Sequence, residues 1–290
     1  MKRLVLLVAI LSLSHCGGNT PTTPTPPPVY NDAVFAGAGD IALCSALGPA
    51  EATAKLLDGI PGTVFTLGDN VQKDGTQEEF RDCYNPTWGR HRARTYPSVG
   101  NHDYGTAGAA PYFAYFGFVA APGTGYYSYT LGSWRLFVLN SNIDIGTGSA
   151  QLSWLTEQLS QAPEPCTLAY WHHPMFTSGP NGANPGMFPL WNVLYTYHVD
   201  VVMNGHDHLY ERFAPQDPYG RADPARGVRQ FTAGSGGAPL YPVVAVAANS
   251  EVRASVHGVL KLTLRSGTYD WEFVPVAGQT FRDTGSTACH

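Results

Sequence analysis

Five apolar, strand-like runs of this chain each end in residues that bind metals. VFAGAG runs into Asp40, TVFTL into Gly68-Asp69-Asn70, YPSV into Gly100-Asn101-His102-Asp103, TLAYW into His172-His173, and VDVVMN into Gly205-His206-Asp207-His208. In an open α/β sheet, side chains just past the carboxyl ends of several strands converge on one crevice, however far apart they are in sequence. A single Gly-Asp or Gly-Asn pair is ordinary turn chemistry, but five such endings in order define a pocket. Carboxylate and amide oxygens mixed with imidazole nitrogens suit zinc, manganese, iron or cobalt better than calcium or a thiolate-bound cluster. Two such ions, typically about 3.5–4 Å apart, can share one carboxylate. His206 and His208 are two residues apart, which on an extended segment turns both to one side and Asp207 to the other.

Between the motifs, short apolar runs bounded by Gly, Pro, Asn or Asp mark strands at 33–38, 63–67, 125–131, 134–140, 166–171, 199–203, 228–233, 256–264 and 269–275. Helical spacing appears at 51–57, at 150–159 behind Ser149 as N-cap, and at 188–197. This alternation predicts a layered α/β fold. The stretch from Val228 onward is strand-rich and helix-poor, which suits a second sheet packed on the first.

The net charge of −5 is spread without a basic run, so nucleic-acid binding has no support and attraction for an anionic substrate falls to the metals. Residues 1–16 read as a secretory leader: Lys2 and Arg3, an apolar run too short to span a bilayer, then Ser14-His15-Cys16. Cys16 is the expected lipid acceptor of a lipoprotein-type signal, the one contact with a membrane, in an exported protein placed in the periplasm or at the cell surface. Residues 17–31, mostly Gly, Thr and Pro, form a tether, and 32–290 form one catalytic domain. In an oxidising compartment the other four cysteines predict two disulfides. Three pairings are open; the expected one joins Cys44 to Cys83 and Cys166 to Cys289, each pair tying a loop or terminus to one half of the chain. No Gly-x-Ser-x-Gly elbow, phosphate-cradling Gly-x-x-x-x-Gly-Lys loop or Cys-Arg phosphatase loop offers a competing nucleophile.

The ordered set GD(40), GDN(69), GNHD(101–103), HHP(172–174) and GHDH(206–208), continued by Leu209-Tyr210-Glu211-Arg212, resembles the calcineurin-like metallophosphoesterase superfamily. The continuation is similar to the superfamily's purple acid phosphatase branch, and GDIALC and GYYSYTLGSWRLFVLNS look like secreted bacterial members of that branch. The resemblance implies a four-layer αββα sandwich with two mixed β-sheets. It also implies two divalent or trivalent transition-metal ions (Fe, Zn or Mn), one held by Asp40, Asp69 and His208, the other by Asp69, Asn101, His172 and His206. It makes His102 the group that assists the leaving oxygen, with Asp103 orienting it, and leaves His173 either packing beside the metal ligands or touching substrate. Tyr210, Glu211 and Arg212 become a structural cluster behind the metals. The implied reaction is hydrolysis of a small phosphomonoester by hydroxide acidified by the two cations. The alternatives are a phosphodiesterase acting on nucleotides or phospholipid headgroups, and a catalytically weak surface binding protein.

The chain departs from the branch at one position. Purple acid phosphatases carry a tyrosine three residues after the bridging aspartate, and here Gln72 stands there. The Gln72 amide, water or Cys44 would have to complete the first metal, and no tyrosinate-to-iron colour is expected. Segments 104–125 and 177–187, rich in Gly with aromatics or with Asn and Pro, are expected as mobile loops that set substrate choice.

Overall fold

The computed structural model describes residues 31–162, 164 and 166–290. The leader, Cys16 and the tether up to residue 30 lie outside them. The strands are β1 (Ala33–Ala38), β2 (Thr63–Leu67), β3 (Thr95–Ser98), β4 (Tyr127–Leu131), β5 (Trp134–Val138), β6 (Cys166–Tyr170), β7 (Val201–Asn204), β8 (Tyr210–Phe213), β9 (Arg229–Ala233), β10 (Ser250–Ala254), β11 (Gly258–Arg265), β12 (Thr268–Pro275) and β13 (Asp283–Ala288). They form two mixed sheets, ordered β13-β12-β11-β1-β2-β3 and β10-β8-β9-β7-β6-β5-β4.

Period-two alternation assigns each strand two apolar faces. Phe35, Phe65, Leu67, Leu136, Leu168, Tyr170 and Met203 point into the core between the sheets. Their neighbours Ala36, Ala38 and Val64 point outward to α1 (Leu47–Asp58). On the other sheet, Phe137, Ala169 and Val202 point outward to α4 (Ala150–Ser160) and α5 (Phe188–Thr196). Strands apolar on both faces demand cover on both sides, and the result is four layers, αββα. Ser149 caps α4 as its sequence suggests, its hydroxyl accepting from the Leu152 N–H at 3.3 Å.

The stretch from Val228 onward does not build its own sheet. β9 and β10 join the second sheet, while β11 pairs antiparallel with β1 and carries β12 and β13 into the first. Both expected disulfides are present. Cys166–Cys289 ties the start of β6 to the residue just past β13, so it staples one sheet to the other.

Segment 104–125 is not an open loop. It holds α3 (Ala110–Phe116), whose Tyr112 and Phe116 lie on one face and pack on Phe80. Phe118 alone is left almost fully exposed. Segment 177–187 is pinned at Asn181, whose side-chain amide donates to the His206 carbonyl at 3.1 Å.

Candidate metal centre

The parallel pairs β1/β2/β3 and β5/β6/β7 end on the same side of the molecule, and backbone bonds lock those ends together. Asp40 N–H donates to the Gly68 carbonyl at 3.1 Å, Gly39 N–H to Ala233 at 2.8 Å, and Ala238 N–H to Asp40 at 2.8 Å. Space there is minimal. A Cβ on Gly100 would sit 2.1 Å from Asp69 Oδ1, and one on Gly205 would sit 2.7 Å from Asp40 Oδ2. Three of the expected ligands, Asp40, Asp69 and His206, hold positive φ angles of 59°, 47° and 69°. Left-handed backbone at non-glycine residues is costly and clusters where a site requires it.

The six expected ligands come together. His172 Nε2 lies 2.9 Å from Asn101 Oδ1, 3.2 Å from Asp69 Oδ2 and 3.2 Å from His206 Nδ1. His208 Nε2 lies 3.3 Å from Asp40 Oδ1. Asp40 Oδ2 accepts the His206 backbone N–H at 2.8 Å, and one oxygen of Asp40, one of Asp69 and one nitrogen of His172 fall within 4.8 Å of one another. The expected reason for the pairing of His206 with His208 does not hold. The 205–208 segment is a tight turn, with Asp207 N–H on Gly205 and Leu209 N–H on Asp207, so His206 meets Asp40 with its backbone N–H and His172 with its ring, while His208 meets Asp40 with its ring, through a bend and not along a strand.

These donors fit a cation. Leu67 O receives the Nδ1–H of His172 at 2.8 Å and Pro239 O that of His208 at 2.8 Å, which leaves both Nε2 lone pairs facing carboxylates. Asp40 Oδ1 is buried with no hydrogen-bond donor among the described residues. The protein's own charges express the same demand. Burial pushes Asp40 up, but the charges of His208, His172 and His206 outweigh it and hold the carboxyl below its ordinary value. Burial opposes protonation of His172, yet Asp69 and Asp40 carry it up to about 9. Burial and the charge of His172 then press His206 down to about 4. The cluster favours positive charge at its centre, and a metal ion held there would supply it in place of a proton.

His102 stands at the rim, its side chain 38% exposed, with Nε2 3.9 Å from Asp69 Oδ2. Its backbone N–H donates to Asp69 Oδ1 at 2.8 Å. Asp103 does not orient it, contrary to the sequence expectation. Residues 100–103 turn tightly, and the buried Asp103 carboxylate points back to accept from Gly100 N–H at 2.9 Å and the Asn70 side-chain amide at 2.9 Å. It ties the second motif to the third. Burial, then the charge of Asp69, raises it to about 7. The ring of His102 is held instead by the Lys73 carbonyl, 2.8 Å from Nδ1.

Backbone carbonyls of this kind carry no signal in a sequence. Tyr241 was equally hidden; its ring stacks on His208 at 4.0 Å and 10°, and its N–H donates to the His208 carbonyl at 2.9 Å. Behind the site, Tyr210 and Arg212 hold Asp283 at 2.7 Å each, while Glu211 accepts from Ser178 and Ser250, a structural cluster as expected. Cys44 cannot complete the first metal, because its sulfur is bonded to Cys83. Gln72 is buried, with its N–H on the Ala42 carbonyl at 2.8 Å and its side-chain nitrogen unpartnered among the described residues.

The calcineurin-like phosphoesterase family model matches residues 33–210, and the chain belongs to that family. Purple acid phosphatase 22 of Arabidopsis thaliana is 27% identical over 252 residues, covering 77% of this chain and 55% of the relative. Purple acid phosphatase 18 of the same plant is 32% identical over 118 residues, 39% of this chain and 26% of the relative. A purple acid phosphatase from yellow lupin seeds, PPD1, shares the fold with a TM-score of 0.73 at 19% identity, over 90% of this chain and 54% of that one. The chain thus spans little more than half of these relatives' length, or less.

Proposed function

We propose that this protein is an exported, metal-dependent phosphoesterase with a two-metal centre, acting first on phosphomonoesters. The observation that carries the reading is the meeting of Asp69, Asn101, His172 and His206 around one point, beside His208 and an Asp40 whose Oδ1 has no hydrogen-bond donor among the described residues. Asp40, Asp69 and His208 would hold one ion, and Asp69, Asn101, His172 and His206 the other, with Asp69 shared. When bound, the ions neutralise phosphoryl charge and make water a competent nucleophile near neutral pH.

The protein's own contribution is placement. The second-layer carbonyls of Leu67 and Pro239 fix which imidazole nitrogen faces inward. His102, tied through Nδ1 to Lys73, presents Nε2 at the rim, where its protonated form can give a proton to the departing ester oxygen. The two disulfides agree with a location outside the reducing cytosol.

The test is turnover of p-nitrophenyl phosphate and of its bis ester by the purified domain loaded with manganese, zinc or iron, beside Asp69→Ala. Monoester activity lost in the variant, by a factor on the order of 10³ or more, is the expected result. Preference for the bis ester would make the protein a diesterase acting on nucleotides or phospholipid headgroups. Full metal occupancy without turnover would leave a surface binding protein.

A further inference from the structure

His173 follows His172 directly but is not among the six residues assigned to the ions. Its ring centroid lies 4.9 Å from that of His172 and 4.5 Å from that of His206, and one of its nitrogens is within 4.8 Å of a nitrogen of each. Two anchors hold it. The Trp171 indole N–H donates to the His173 carbonyl at 2.7 Å, and Ser141 Oγ lies 2.8 Å from Nδ1. Ser141 sits on the tail of β5, fixed on both sides. Asn140 N–H donates to Gln151 at 2.7 Å, and the Asn142 side-chain amide donates to the Val99 carbonyl, just before the third motif, at 3.2 Å.

The direction of the Ser141 bond decides what His173 can do. Ser141 Oγ already accepts the His173 backbone N–H at 3.3 Å, and no acceptor for its own hydrogen other than Nδ1 is found among the described residues. A hydroxyl donating into Nδ1 leaves the ring's single hydrogen on Nε2. That nitrogen has no protein partner among the described residues, and the residue is half-buried, so the N–H ends free on a ring packed against those of His172 and His206. His102 is set the other way round. The Lys73 carbonyl, which can only accept, lies 2.8 Å from Nδ1 and is nearer than the Lys73 N–H at 3.3 Å, so the hydrogen of neutral His102 is on Nδ1 and its Nε2 is bare.

We infer that His173 is a catalytic residue, a neutral imidazole held by Ser141 in the tautomer whose Nε2–H donates a hydrogen bond to a phosphoryl oxygen of the substrate. This rests on the phosphoesterase reading of the site. No proton is transferred. The donor is fixed before substrate arrives and strengthens as charge builds on the phosphoryl oxygens, the kind of interaction worth about 10²-fold in rate per donor. It gives the site two histidines with separate duties, His102 as the proton donor at the leaving group and His173 as a fixed hydrogen-bond donor.

The experiment compares wild type, His173→Phe, His173→Gln and Ser141→Ala, each loaded with zinc. It reads metal per chain, affinity for inorganic phosphate, and kcat and KM for p-nitrophenyl phosphate. A wild type that holds no metal or turns nothing over would sink the phosphoesterase reading itself, before any variant is compared. With wild type active, His173→Phe should keep two zinc ions, bind phosphate at least about tenfold more weakly and lose about 10²-fold in kcat/KM. His173→Gln, whose amide N–H replaces Nε2–H, should recover part of both. Imidazole 15N spectra should show hydrogen on Nε2 of His173, and Ser141→Ala should erase that preference. The inference is overturned by wild-type phosphate affinity and rate in His173→Phe with both ions retained. It is overturned equally by loss of zinc in both the Phe and Gln variants, which would make His173 a metal ligand, or by a resonance that places the hydrogen on Nδ1.

Discussion

Gln72 occupies the position where the purple acid phosphatase pattern has its tyrosine, so an ion held by Asp40, Asp69 and His208 would lack a phenolate from that motif. Iron(III)-loaded protein should therefore show no tyrosinate charge-transfer band in the visible, and Gln72→Tyr should introduce one. A purple native protein would contradict the assignment. The clustering of the six residues assigned to the ions was legible because each carries chemistry in its side chain and stands at a strand end. What was not legible is what aims them. Asp103 looked like the partner of His102 because the two are adjacent, yet the turn at 100–103 sends its carboxylate to Asn70 and Gly100, and a carbonyl of Lys73 takes over. Carbonyls belong to every residue, so no pattern of residue types could single out Lys73, Leu67 or Pro239.

At the scale of elements, the short stretch from Pro239 to Tyr241 acts as a clamp on His208, accepting from its Nδ1 and covering its ring. Tyr241→Ala should loosen the first metal, measurable as about a fivefold weaker second-equivalent binding constant, since one lost stacking contact is worth roughly 1 kcal/mol. Tyr241→Phe, which keeps the ring, should bind as wild type does. Equal loss in both variants would mean that the hydroxyl and not the stacking matters. The central strands were readable because runs apolar on both faces have few other fates. β8, β10 and β13 were not, since YERF, SEVRA and DTGSTA are polar or charged and become strands only because an existing strand offers them hydrogen bonds. The same limit explains the assignment of the final segment. The alternation in β11 and β12 declares strands, but which sheet they join is decided by β11 pairing with β1 more than two hundred residues away in sequence.

At the scale of the whole molecule, the two sheets are held by their shared apolar core and by the tail beyond β13. Cys289 reaches Cys166, and His290 packs its Nδ1 2.9 Å from Asp200 Oδ1, while Asp200 Oδ2 accepts the Thr167 N–H at 2.8 Å. The bond from Asp200 raises the His290 pKa against the opposing effect of burial. A raised imidazole value means this contribution is complete below the unfolded value near 6.5 and is lost as pH climbs through the folded value. The melting-temperature gap between wild type and His290→Gln should be widest near pH 6 and close toward pH 9; a gap independent of pH would contradict the pairing.

All of these effects surround one claim, that Asp69 is shared by two metal ions gathered from five strand ends. Anomalous X-ray diffraction from crystals of the metal-loaded protein, recorded at the absorption edge of the metal, tests it most directly. The account predicts two peaks on either side of the Asp69 carboxylate, one toward Asp40 and His208, the other toward Asn101, His172 and His206. A single peak, or peaks that leave Asp69 untouched, would contradict it.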